Sequence, residues 1–200
     1  MSTELSSFAA SIQRWDLNQH PFYQAWAAGT LPTEALATYA RDWGAFVRVI
    51  DRGWESAGMP EYAAEEREHA QLWDAFAGAV GTAAVDAPEI GELAALRSSA
   101  ERLFSTPATA LGALYAFEAQ QPTTSASKLE GLKQHYSFSP DAETYFAVHA
   151  NDESEAQWLA EKLTGLAPGQ REVAADACEH MCRAMWEALS GIYSGDCAMA

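Results

Sequence analysis

Proline and glycine recur along this chain at intervals that leave room for helices and little else. The breaks fall at His20-Pro21, Gly29-Thr30-Leu31-Pro32, Gly58-Met59-Pro60, Ala87-Pro88, Thr106-Pro107, Gln121-Pro122, Ser139-Pro140 and Pro168-Gly169. Proline is tolerated in the first helical turn, where its missing N–H would have no intrahelical partner, so most of these mark helix starts. The stretches between them are rich in Ala, Leu, Glu, Gln and Arg, which favour helix. From Pro32 to about Ala57, the residues Leu36, Tyr39, Trp43, Phe46, Val47 and Ile50 recur at helical spacing. Tyr145, Val148, Trp158 and Leu159 do the same after Pro140. Alternation with a period of two is rare, and runs of β-branched residues are absent. The pattern predicts an all-α fold, a compact bundle of seven or eight helices with no sheet. No repeat, low-complexity tract or linker divides it, so residues 1–200 read as one domain.

Composition narrows the function. The chain has 200 residues and is 48% hydrophobic, enough for a substantial core. Its formal net charge of -16 argues against a nucleic-acid partner, since nothing would offset phosphate repulsion. No stretch approaches the apolar length of a membrane span. The opening MSTELSSFAASIQRWD lacks the basic start and apolar run of a secretory signal. Cys178, Cys182 and Cys197 are odd in number and clustered late, which predicts cytoplasmic thiols rather than a disulfide framework. His180 lies between Cys178 and Cys182 but on another helix face, so the three do not form a zinc site.

Polar residues in apolar surroundings carry the possible chemistry. In AAEEREHAQLWDAFA, both Glu66 and Glu65 can share a helix face with His69, the first at three residues and the second at four. A Glu-x-x-His pair is a metal-ligand motif of helix bundles, although EEREH also reads as a solvated acidic face. In LGALYAFEAQQP, Glu118 follows the apolar Leu111, Leu114, Tyr115 and Phe117. Such a carboxylate is costly unless it is paired, protonated, bound to metal or at an exposed edge. In YFAVHANDESEAQW, His149 sits one turn after Tyr145, and Asp152 or Glu153 follows at ligand spacing. Alone, His149 would read as a hydrogen-bonded core imidazole. Lys128, in TTSASKLEGLKQHY, would alone read as a surface charge. Together, three helices offer mixed imidazole and carboxylate ligands, an inventory that suits iron or manganese.

These residues resemble a known family. HPFYQAWAAGTLPTEALATYARDWGAFV is similar to the first two helices of the haem-oxygenase-like superfamily that includes TenA and PqqC. YAFEAQQPTTSASKLEGLKQHY, YFAVHANDE and MWEALSGIY resemble its CADD-like branch, named for the chlamydial protein associating with death domains. The resemblance runs from about Leu17 to Tyr193. It implies a bundle of about seven helices, a homodimer or larger assembly, and a central cavity holding the active site. It also implies a di-iron, or mixed iron and manganese, oxidase that activates dioxygen. Some members make para-aminobenzoate for folate synthesis by consuming a tyrosine of their own, with a lysine as the suspected nitrogen source. By position, His69, Glu118 and His149 match metal ligands of the family, and Lys128 matches its lysine.

The chain also departs from the family pattern. The family continues its last helix with Asp four residues after the histidine and His three further on, where this chain has Glu153 and Ala156. Shifting by one residue places Asp152 and Glu155 there instead, and neither register restores the imidazole. The family glutamate seven residues before His69 is Tyr62 here, so Glu66 or Glu65 must substitute. A tyrosine pair of the second helix is replaced by Trp43-Gly44, leaving Tyr23 and Tyr39 as cavity candidates. The second metal position is therefore expected to be weak, carboxylate-rich or empty. The resulting expectation is an oxidase with Glu66, His69, Glu118, His149 and Asp152 or Glu153 as ligands. Lys128, Tyr23 and Tyr39 would be reacting groups, and the substrate a small molecule or the chain's own tyrosine. Two alternatives stand beside it. A TenA-type aminopyrimidine hydrolase would need a cysteine nucleophile, which LYAFEAQQP lacks. A non-catalytic binding member would have kept the fold and lost the site.

Overall fold

A computed structural model describes residues 3–196. Its eleven α-helical segments are α1 Ser6–Arg14, α2 Pro21–Ala27, α3 Thr33–Val47, α4 Ile50–Ser56, α5 Pro60–Ala79 and α6 Gly91–Leu103, then α7 Pro107–Glu118, α8 Gln121–His135, α9 Asp141–His149, α10 Ser154–Thr164 and α11 Pro168–Asp196. Two short 3-10 turns, Thr3–Leu5 and Leu17–Gln19, accompany them, and no strand occurs among the described residues. Together the segments make an all-α bundle.

The prolines act as their sequence positions predict. Pro21, Pro60, Pro107 and Pro168 each open a helix, and Pro122 occupies the first turn of α8. Pro32 and Pro140 stand immediately before α3 and α9. Cys178 and Cys182 are buried free thiols on α11, whereas Cys197 lies outside the described residues. No helix among the described residues is long and apolar enough to cross a membrane.

Helix α7 is the centre of the bundle. Every residue from Ala110 to Glu118 except Tyr115 is buried, as expected of a helix that is apolar on all sides. It packs on α11, α10 and α4. At Gly112 the approach to α11 is so close that an added Cβ would lie 1.9 Å from the Ala174 carbonyl oxygen. Backbone cannot yield as a side chain can. Gly112→Ala is therefore expected to destabilise the protein by roughly 1–3 kcal/mol through overpacking, read as a lower midpoint in urea unfolding.

The rest of the core is largely aromatic. Trp26, Tyr39, Trp43, Trp73, Phe76, Tyr145 and Phe146 pack together with ring centroids about 5–6 Å apart, mostly edge to face. That arrangement places the positive edge of one ring on the negative face of the next. The layer forms a dry wall against which the polar groups are set.

Candidate metal centre

Three carboxylates meet inside the bundle. Glu66 from α5, Glu118 from the last position of α7 and Glu155 from the first turn of α10 are all buried. One oxygen of each lies within 4.8 Å of the others. Glu66 Oε2, Glu118 Oε1 and Glu155 Oε1 have no hydrogen-bond partner among the described residues. A buried orphan acceptor costs about 1–3 kcal/mol, more if charged. The position of Glu118 adds to this, because the C-terminal end of a helix carries the negative pole of its dipole.

Two imidazoles adjoin the carboxylates. His149 Nδ1 donates to the Tyr145 carbonyl at 2.6 Å, one turn back on α9. That bond fixes the tautomer, leaving Nε2 as a lone-pair donor. Burial, the largest cause, lowers its pKa to about 4, so the ring is neutral at physiological pH. Its Nε2 lies 3.2 Å from His69 Nδ1, which is also 3.3 Å from Glu66 Oε1. Burial pulls the His69 pKa down, but the Glu66 bond and the charges of Glu66, Glu155 and Glu65 outweigh it, and the net shift is upward.

The carboxylates themselves resist ionisation. Burial first, then repulsion from Glu155 and Glu66, holds Glu118 well above the usual carboxylate range. Burial followed by Glu66 raises Glu155 to about 8. Three acids with orphan oxygens, beside two imidazoles that pair with each other through His149 Nε2 and His69 Nδ1, suit a divalent transition metal. A cation would satisfy those oxygens and remove the repulsion. The donor set fits iron.

Glu66 and Glu118 meet in the carboxylate cluster, His69 touches Glu66 and His149 touches His69, while Glu65 is exposed. Asp152 and Glu153 do not join the cluster. After His149 the chain turns through residues 150–153 before helix resumes, so the spacing expected of one continuous helix does not hold. Asp152 is exposed, and its Oδ1 accepts from the Ser154 backbone N–H at 2.9 Å and from Ser154 Oγ at 2.6 Å. Glu153 is exposed and accepts from Gln157 Nε2 at 3.3 Å. Glu155 enters in their place. Asp152→Ala is expected to cost about 1 kcal/mol of stability, the usual worth of a helix-start cap, with metal content measured by atomic absorption unchanged.

Beside this cluster lies a second group. Lys128 is buried, and its Nζ stands 3.4 Å from Tyr23 Oη and 3.5 Å from Tyr39 Oη. The two phenols are 2.9 Å apart. The ammonium nitrogen also lies over the Tyr23 ring at 4.6 Å and the Phe146 ring at 5.1 Å. Among the described residues no carboxylate pairs with Lys128, and burial lowers its pKa to about 7. Burial raises the phenols of both Tyr23 and Tyr39, so both stay protonated.

These groups line a cavity of about 10 Å³, closed by Trp43, Trp73, Phe117, Gln121 and Tyr145. That is room for roughly one water molecule. Tyr145 joins the two groups. Its ring packs on His149 at 4.3 Å, while its hydroxyl reaches the cavity and accepts from Gln121 Nε2 at 3.0 Å. Sequence reasoning passed over both Tyr145 and Gln121. The tyrosine follows the apolar face of α9 and reads as core, and the glutamine next to Pro122 reads as a helix start.

The chain matches the family described as iron-containing redox enzymes over residues 53–189. A 4-aminobenzoate synthase from Nitrosomonas europaea is 33% identical, across 94% of this chain and 89% of its own length. A domain of unknown function with a heme-oxygenase-like fold from Shewanella denitrificans superposes with a TM-score of 0.76 at 14% identity, covering 93% of this chain and 90% of its own. A CADD-like protein of unknown function from Nostoc punctiforme does so with a TM-score of 0.59 at 15% identity, covering 94% and 97%. At those identities the two structures speak for the fold, while the family match and the Nitrosomonas relative speak for the chemistry. The chain belongs to the family of iron-containing redox enzymes, and it is an oxidoreductase built on a haem-oxygenase-like bundle.

Proposed function

We propose that this oxidoreductase uses dioxygen to make 4-aminobenzoate from an aromatic ring of its own, supplied by Tyr23 or Tyr39, with Lys128 as the source of the amine nitrogen. The observation that carries this reading is the buried Lys128 amine within 3.5 Å of two phenols in a cavity of about 10 Å³. A free aromatic substrate needs roughly ten times the space of one water, so the reacting ring is one already in the wall. The name of the Nitrosomonas relative supports the product class.

Glu66, His69, Glu118, His149 and Glu155 would hold the metal, as an iron pair or as iron beside manganese. Glu155 stands in for the imidazole that Ala156 does not supply. Bound iron supplies the means to activate dioxygen, which protein side chains lack. The other tasks fall to the chain. Lys128 is held near its neutral form, so its lone pair is available at physiological pH. The Tyr23–Tyr39 hydrogen bond fixes the phenols side by side. Gln121 orients Tyr145, and the Trp and Phe wall excludes water. The hydrolase reading lacks its nucleophile, since no cysteine lines the cavity. Buried free thiols at Cys178 and Cys182 agree with a reducing, cytoplasmic setting.

The test is a single-turnover experiment on protein loaded anaerobically with ferrous iron and then mixed with dioxygen. Expected are at most one 4-aminobenzoate per chain, a matching mass loss in the peptide of Tyr23 or Tyr39, loss of the ε-nitrogen from the peptide of Lys128, and label in the product when the protein carries ¹⁵N-lysine. Many turnovers on an added small molecule, with the chain's mass unchanged, would overturn the reading.

A further inference from the structure

A second aromatic cluster, outside the cavity, joins α4, α5 and α10 one helical turn from two of the carboxylates. Trp54 of α4 is fully buried, and its indole N–H has no acceptor among the described residues. Its ring lies 4.7 Å from that of Tyr62 and 5.7 Å from that of Trp158. Tyr62 and Trp158 are 6.0 Å apart, both half-buried, and Lys162 Nζ covers the outer ring at 4.9 Å. Tyr62 sits four residues before Glu66 on α5, and Trp158 three residues after Glu155 on α10. Each therefore lies one turn from a carboxylate of the cluster, on the same helix face.

Packing alone needs only apolar rings here. These three are the side chains that lose an electron most readily, and they run without interruption from a buried ring to the surface. Tunnelling falls off exponentially with distance, so several short steps between rings outpace one long step. We propose that Trp54, Tyr62 and Trp158 form an electron port between the metal centre and a reductant in solution, a role that rests on the reading that the cluster holds iron.

The port works when the centre retains an oxidising equivalent that the reaction has not consumed. Tyr62 gives one electron to the centre, which is reduced by one, and its phenolic proton passes to solvent or to Glu65. The oxidised ring, or Trp54 or Trp158 after exchange with it, takes one electron from a small reductant such as ascorbate or a thiol. That reductant is oxidised by one electron, and a proton returns to the phenol.

The experiment uses the full chain loaded with ferrous iron, exposed to dioxygen without reductant, freeze-quenched for electron paramagnetic resonance, and then mapped by peptide mass spectrometry. Iron is measured on the same samples. Expected in the wild type are an organic radical signal that ascorbate removes and oxygen-addition products at Tyr62 and Trp158. Trp15 and Trp186, whose rings pair at 5.9 Å between α1 and α11, serve as a control and should stay unmodified. The double variant Tyr62→Phe with Trp158→Phe keeps two packed rings and should lose both signatures at unchanged iron content. An unaltered radical signal in that variant, or oxidation spread equally to Trp15 and Trp186, overturns the port and leaves the iron reading in place. Wild-type protein that binds no iron overturns both.

Discussion

Lys128→Met is expected to abolish product formation and to stabilise the protein by several kcal/mol at pH 7. The ammonium is fully buried among rings, with no carboxylate paired to it, and its pKa falls from 10.5 to about 7. Below pH 7 the lysine is charged in both the folded and unfolded chains, and the folded state bears the full desolvation penalty. Between pH 7 and 10.5 the unfolded chain holds a proton that the folded chain has released, so wild-type stability rises with pH. Above 10.5 both are neutral and the penalty is gone. The advantage of the methionine variant should thus be greatest below pH 7 and shrink by about 1.4 kcal/mol per unit toward pH 10.5. Urea unfolding of both proteins across that range checks it. A variant less stable than wild type at pH 7 would show that the contacts of the Lys128 amine outweigh the cost of burying it.

Glu118→Gln should remove iron binding and make the metal-free protein more stable, by about 1–3 kcal/mol. The substitution keeps the shape and removes a carboxylate that burial and two neighbouring acids oppose. Metal analysis and thermal unfolding of the same preparation give both results. The wild type should show a related pH dependence. Glu155, raised from 4.5 to about 8, keeps in the folded state a proton that the unfolded chain gives up. Its contribution to metal-free stability is complete below pH 4.5 and is lost as pH rises through about 8. Iron binding needs the ionised acid, so iron affinity should rise over that same interval. The two trends run in opposite directions, and chelation should invert the pH profile of the melting temperature.

Many of the helices were legible because proline marks their starts, as at Pro21, Pro60, Pro107 and Pro168, although Pro88 opens none. Breaks without proline were not: α3 yields to α4 at Arg48-Val49 with no turn residue to announce it. Glu118 was legible because a single carboxylate in an apolar helix is costly, and Glu66 with His69 because three residues make nearly one turn. Glu155 was legible only as one of three alternatives with Asp152 and Glu153, because its burial depends on a turn at residues 150–153 whose polar residues read equally well as a wet helix face. Tyr145 was hidden for the opposite reason, since an aromatic ring on a core face looks like packing until its hydroxyl is located. The placement of Lys128 between two phenols is a tertiary fact that spacing along the chain could not carry.

A cavity with room for about one water sets an accounting limit as well as a steric one. If the ring that reacts is part of the wall, each folded chain is a reagent and not a catalyst, and its yield is capped at one molecule. The amount formed by a cell would then follow the number of chains its ribosomes complete. Selection on such a protein would act on how cheaply and how often it is made, with little pressure to speed any step that follows folding.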